Sequence, residues 1–317
     1  MALGVNPGIL YIVLANVVGA TSYLGMKKAM EGMPPALTLL LRVIVCLTVL
    51  APFLWREKQR GELGKSFDRA DLRAIAVMSL IGLGAAIYLS MWGIHFSSAT
   101  NGALFIGVEP VFILLLSVAF LREKLSAWTL GAFGAALCGA TVIASNGIPF
   151  VTAVYSEHLW GDLLLIAAGL CFAAYSVVGK RVLTRHSSLQ VTALVNGFAG
   201  IGFLILTPFE LRNFPLRAET FWPAMLWVLY LGVFVSLLSY YWWNRAMKHL
   251  DATQIAVYVN IQPLVGALLG WLVLHEEITR FTIAGGVLIT IGVLLSVEGE
   301  KRAVAERFPW PDRSETS

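Results

Sequence analysis

Charge is what this 317-residue sequence has least of. Asp, Glu, Lys and Arg make up 13% of it, against roughly 25% in an average soluble domain. A soluble protein of this length could bury a large core but would still need a charged surface. Between its loops this chain has almost none. Cysteine is scarce as well. Cys46, Cys138 and Cys171 all lie inside apolar runs without paired spacing, which leaves them as small hydrophobes rather than disulfide or metal partners. No His/Cys/Asp cluster has metal-ligand spacing, and no Gly-rich loop ends in Lys-Ser or Lys-Thr. Neither a metal nor another cofactor is therefore expected, nor any nucleotide-driven step, and convincing enzyme motifs are missing. Nucleic acid is not an expected partner either, because the net charge of +4 has a better explanation in topology. Residues 1–6 lack the basic region of a cleavable leader, so the first apolar run reads as a spanning helix.

What is present is hydrophobic residue, 58% of the chain, in runs of about 20, the length that crosses a ~30 Å hydrocarbon layer as helix. Ten spans are expected, at 7–28, 36–55, 72–94, 99–120, 127–145, 160–181, 189–209, 223–246, 252–274 and 280–297. The connections are short except the polar 56–71 loop and the 146–159 link. The charged tail from Glu298 to Ser317 is expected to be loosely ordered.

One stretch occurs twice. Ala99–Leu125 reads ATNGALFIGVEPVFILLLSVAFLREKL and Ala252–Ile278 reads ATQIAVYVNIQPLVGALLGWLVLHEEI. A single ungapped shift of 153 positions puts Pro110 on Pro263, Glu123 on Glu276 and Gly139 on Gly292. Upstream it puts Tyr88 on Tyr241 and Gly8 on Gly161. Such a repeat outranks any single motif as a fold signal. It divides the chain into 1–145, an extracytoplasmic link at 146–159, a second unit at 160–297 and a cytoplasmic tail at 298–317.

Lys and Arg orient the helices. With the N-terminus cytoplasmic, the inner loops and tail hold seventeen of the 23 basic residues and the outer loops five, Arg42 lying within a span. That bias places both termini in the cytoplasm. Five spans per repeat is an odd number, so the second copy enters the membrane the other way up. An inverted repeat is a common architecture of secondary transporters, with the site near the midplane. The expected fold class is therefore all-α integral membrane, ten transmembrane helices as two inverted five-helix repeats.

Ten spans in two halves, each with Pro in its fourth helix and Glu just after it, resemble the drug/metabolite transporter superfamily. EPVFILLLSVAFLREKLSAWTLGAFGAALCGATVIA and QPLVGALLGWLVLHEEITRFTIAGGVLITIGVLL are similar to the end of an EamA domain. The resemblance covers residues 7–297. It implies a bacterial inner-membrane carrier, usually an exporter of amino acids or other small metabolites, working by alternating access on a small-molecule substrate within the bilayer. A passive channel or facilitator, or a carrier of sugars or nucleobases, is the alternative.

Glu109 is the one carboxylate deep inside a span. A charge there costs on the order of 3 kcal/mol and should face protein or water, which makes it a candidate proton carrier or a partner for a substrate amine. Arg42 is the candidate counter-charge, and a purely structural Glu109–Arg42 pair is the alternative. The second copy has Gln262 at the equivalent place. Pro110 and Pro263 cannot donate to the carbonyls four residues before them and are candidate hinges. Tyr88, Met91, Trp92 and His95 share one helical face, matched by Tyr241, Asn244, Arg245 and Lys248. Trp92, His95, Trp242 and Trp243 lie nearer span ends, where an interfacial belt is the default. Asn101, Phe105 and Glu109 form a slanting row, matched by Gln254, Tyr258 and Gln262. Asn16, Thr21, Tyr23, Tyr175, Ser176 and Asn196 complete the cavity candidates, most of which fall in the first, third, fourth, sixth, eighth and ninth spans. Glu123 and Glu276 are expected to organise their own turns and favour the N-terminus of the helix that follows.

Overall fold

The computed structural model describes residues 6–61, 66–96, 109–123, 125–145, 159–274 and 278–307. Ten helical spans follow in order: α1 (Pro7–Met30), α2 (Pro35–Gln59), α3 (Arg69–Phe96), α4 (Glu109–Leu121) and α5 (Ala127–Ser145). The second half gives α6 (Leu159–Leu183), α7 (Ser188–Leu211), α8 (Ala218–His249), α9 (Ala252–Val259 and Ile261–Leu274) and α10 (Arg280–Arg307). Among the described residues no strand occurs.

The local causes are ordinary helix chemistry. Asn6 caps α1, its side chain accepting from Gly8 N–H, with Pro7 in the first turn, where its missing N–H costs nothing. Asp68 and Asp71 form a reciprocal capping box on α3, as Asp251 and Gln254 do on α9. Gly61, at φ +67°, closes the end of α2. The tail behaves differently from its expectation, because α10 continues to Arg307. Residues 298–307 are Glu, Lys, Arg, Ala and Val with one Gly, mostly helix formers, and the first breaker is Pro309. Large apolar side chains point outward in bands, among them Leu10, Ile205, Phe209, Leu226 and Leu294, each about 60% exposed or more. A bundle with its hydrophobic face outward needs lipid around it. The chain is a multi-pass membrane protein.

Reciprocal contacts define the symmetry. A Cβ on Gly139 would lie 2.5 Å from the carbonyl oxygen of Gly285, and one on Gly292 would lie 2.7 Å from that of Ala132. Each pair maps onto the other under the 153-residue shift. Likewise a Cβ on Gly232 would meet Arg42 O at 2.9 Å, and its equivalent Ser79 donates its hydroxyl to Val195 O, the equivalent of Arg42 O. Residue i touching j while j′ touches i′ is the mark of a two-fold axis. The main helix pairings obey it: α5 packs on α10, α2 on α7 and α4 on α9, while α3–α6 mirrors α8–α1. Even the π-helical stretch Met78–Gly84 in α3 has its counterpart, Leu231–Ser239 in α8. Two five-helix halves of opposite orientation interlock about this axis.

Candidate functional site

A cavity of about 90 Å³ lies at the centre of the bundle, walled by α1, α3, α4, α6, α8 and α9. Its polar side chains are Asn16, Ser22 and Tyr23 from α1, Ser90 from α3, Glu109 from α4, Ser239, Tyr240 and Trp243 from α8, and Gln262 from α9. The volume holds a few waters, and is smaller than the 300 Å³ or more usual for a ligand pocket. The π-helical segment of α8 and the break in α9 at Asn260 lie beside it. The α9 break follows from Pro263, which cannot donate to Val259 O.

The two-fold axis explains the state of Glu109. In the α1–α9 contact, Gln262 Nε2 donates to Asn16 Oδ1 at 2.9 Å. The mirrored contact joins α6 to α4, where Glu109 replaces Gln262 and Gly169 replaces Asn16. A Cβ on Gly169 would stand 3.4 Å from Glu109 Cα, so the backbone approach is kept while the partnering amide is gone. Glu109 Oε1 is buried with no hydrogen-bond partner among the described residues. Arg42 does not supply one. It is 1% exposed, its Nε donates to Ser236 Oγ at 2.5 Å and Nη2 to Tyr240 OH at 3.4 Å, and it forms no ion pair with Glu109 among those between described residues. Its guanidinium stands behind Tyr240, 5.8 Å from the ring centroid, with Nη1 unpartnered. A buried acid and a buried base thus share one region without neutralising each other.

The other sequence-derived residues are distributed as follows. Glu109 and Gln262 line the central cavity together. Tyr175 is buried, donating to Asn244 Oδ1 at 2.7 Å, and Asn244 Nδ2 donates to Thr192 Oγ1 at 2.8 Å. That network ties α6, α8 and α7 outside the cavity. Tyr258 is 1% exposed in the apolar core. Tyr88 donates to Glu210 Oε1 at 2.7 Å, and Trp92 stacks on Phe96. Tyr241 accepts from Arg245 Nη1 at 3.1 Å. Pro110 is the second residue of the described part of α4. Asn101 and Glu276 lie outside the described residues. Trp243, expected in an interfacial belt, is instead 3% exposed and faces the cavity, because α8 crosses the centre of the bundle. Glu123 accepts from Ala252 N–H and Thr253 N–H at 3.0 and 2.9 Å. It caps α9 of the other half rather than α5. Ser90, Ser239 and Tyr240 carried no local sequence signal, since each sits in an unbroken apolar run.

The ends of the bundle are closed differently. At one end Asp71, 8% exposed in its side chain, accepts from Arg185 Nη1 at 3.0 Å and meets His186 Nε2 at 2.9 Å, while Phe67 stacks on His186. The equivalent residues at the other end are Ala224, Gly32, Met33 and Thr220, which pack without charge.

The model of the EamA-like transporter family matches residues 6–145 and again 159–298. The chain belongs to that family. Relatives include an uncharacterized transporter of Archaeoglobus fulgidus, 27% identical over 90% of this chain and 96% of its own. A probable terminal-alkyne amino-acid exporter of Streptantibioticus cattleyicolor is 28% identical over 90% and 91%. A probable biotin transporter of Pseudomonas aeruginosa is 30% identical over 59% and 64%. A solved crystal structure shares the fold, with a TM-score of 0.72 at 19% identity, covering 94% of this chain and 98% of that one.

Proposed function

We propose that this EamA protein is a secondary transporter that exports amino acids or similar small metabolites across the inner membrane by alternating access. Both termini are cytoplasmic in this reading, as the basic residues require. Residues 1–145 and 160–297 rock about the two-fold axis, with Pro110 and Pro263 as equivalent hinges. The observation that carries it is the central cavity between related halves, lined by a buried carboxylate whose Oε1 has no hydrogen-bond partner among the described residues. Intramembrane acids of this kind mark ion and substrate paths. Glu109 binds a substrate amine or carries a coupled proton, Gln262 reads the same substrate from the opposite half, and Arg42 supplies positive potential behind Tyr240. Tyr88 and Tyr241, at equivalent points of α3 and α8, close the two mouths. Amino-acid cargo is supported by the relative named as an amino-acid exporter.

The test uses purified protein in vesicles. Counterflow, in which unlabelled substrate inside accelerates labelled uptake, is expected of a carrier, and its absence would point to a channel. Glu109→Gln should insert and fold, since Gln occupies the equivalent site already, but transport slowly and with a flattened pH profile. A normal rate with an unchanged profile would remove Glu109 from the mechanism.

A further inference from the structure

A second cavity of about 300 Å³ lies at the end of the bundle where α2 finishes, α7 begins and α8 finishes. It is lined by Glu57, Ser187, Ser188 and Leu189, and by Tyr241, Arg245, Lys248 and His249. Ser187 caps α7 by accepting from Gln190 N–H at 3.2 Å and itself donates to Glu57 Oε2 at 3.0 Å. Ser188 is 4% exposed, and its hydroxyl has no partner. Among the described residues nothing accepts from Leu189 N–H, a first-turn donor of the kind that helix geometry leaves open. No carboxylate among them lies within ion-pair distance of Arg245 or Lys248, although Glu57 acts on Lys248 across the cavity. Arg245 is instead held over the Tyr11 ring at 5.0 Å, with Tyr241 OH at 3.1 Å.

The repeat supplies an internal control. The 153-residue shift pairs Leu189 with Ala36, Glu57 with Glu210, Tyr241 with Tyr88, and Arg245, Lys248 and His249 with Trp92, His95 and Phe96. At that opposite end the helix N-terminus is filled from within. Glu210 Oε2 accepts from Ala36 N–H at 2.7 Å, and Tyr88 donates to Oε1 at 2.7 Å. Trp92, His95 and Phe96 cover it as an aromatic cluster. In the α7 copy the glutamate has moved onto Ser187, the aromatic cover has become Arg245, Lys248 and His249, and Ser188 adds an unused hydroxyl. At the α7 end the equivalent carboxylate, Glu57, is held by the cap residue Ser187 rather than by a backbone N–H, and Arg245 and Lys248 face the same cavity.

We propose that this cavity binds a phosphate group. The helix N-terminus, the Ser188 hydroxyl and the Lys248 and Arg245 charges converge there, a combination suited to phosphate oxygens. Two sources offer the same chemistry: the headgroup of an anionic phospholipid in the adjoining leaflet, or a phosphate compound in solution. Glu57 faces the same space and favours a singly charged phosphodiester over a dianion.

The experiment measures the thermal unfolding of the purified full chain. One arm titrates inorganic phosphate in detergent, with chloride at equal ionic strength as the control. The other compares nanodiscs of phosphatidylcholine with nanodiscs containing increasing phosphatidylglycerol. Stabilisation by phosphatidylglycerol alone assigns a lipid headgroup, and stabilisation by phosphate in detergent assigns a soluble phosphate. In either case Lys248→Gln weakens the apparent affinity about tenfold or more, as loss of a charged hydrogen bond does, and Ser188→Ala weakens it several-fold. Arg56→Gln, which removes an exposed charge from the same end of α2, leaves it unchanged. Absence of stabilisation by both ligands overturns the site. So does an Arg56→Gln effect equal to that of Lys248→Gln, which would mean general surface attraction.

Discussion

Replacing Gly169 by Asn would rebuild around Glu109 the contact that Asn16 already makes with Gln262. The steric cost is small. The new Cβ would meet Glu109 Cα at 3.4 Å, its N at 3.5 Å and its Cβ at 3.6 Å, all ordinary van der Waals separations. Within a helix Asn is slightly better than Gly, by about 0.3 kcal/mol. The amide would then donate to the carboxyl oxygen now without a partner, as Gln262 does to Asn16 at 2.9 Å. A hydrogen bond to a charged group contributes about 1.5–3 kcal/mol. If Glu109 must be free to engage substrate or proton, that energy is lost at each cycle, and transport slows about 10- to 150-fold. The same bond should raise the thermal midpoint of the purified protein. Gly169→Ala is the control, with the same Cβ and no donor, and it should transport near normally. The assay is initial-rate transport in vesicles, normalised to folded protein. A Gly169→Asn variant that is thermally stabilised yet transports at the wild-type rate would refute the idea that the unpaired carboxylate is functional. If Gly169→Ala slowed transport equally, space rather than pairing would be the cause.

Other outcomes follow from the same geometry. Gly292→Val should separate α5 from α10, because its Cβ would lie 2.7 Å from both Ala132 O and Ala136 Cβ; a loss of about 1–3 kcal/mol is expected, read as a lower midpoint, whereas Gly131→Ala, with nothing within 4 Å, should hold or gain. An unchanged Gly292→Val midpoint would contradict the two-fold contact. Asp71→Ala removes the acceptor of both Arg185 and His186, at about 1–3 kcal/mol. It should therefore favour opening of that end, seen as faster thiol labelling of a Ser90→Cys reporter from the side on which Asp71 lies; labelling at the original rate would show that the ion pairs do not hold it shut. Tyr175→Phe leaves Asn244 Oδ1 without its 2.7 Å donor and should lower stability by about 1–3 kcal/mol. A transport defect without destabilisation would instead place Tyr175 on the substrate path.

The sequence by itself determined the solvent, the number of spans, the repeat and its inversion. Each of these depends on period, length or parity, which a linear reading can measure. Ten apolar runs at helix length, five per copy, leave no other orientation for the second half. The sequence also placed Glu109 and Pro110 opposite Gln262 and Pro263, because an ungapped shift needs no coordinates. What each side chain meets was decided by the tertiary structure. Ser90, Ser239 and Tyr240 face the centre because α3 and α8 cross it, and a helix that is apolar all round does not announce which face that is. Tyr175 and Asn244 satisfy each other, since two polar groups brought together out of water hydrogen-bond rather than wait for a ligand. Glu123 reaches across to α9 because packing sets α4 beside α9, a proximity invisible along the chain. That Glu109 Oε1 lacks a partner among the described residues is of the same kind. It depends on Gly169 standing where the first repeat has Asn16, and that matters only because the two-fold axis brings α6 against α4 as it brings α1 against α9.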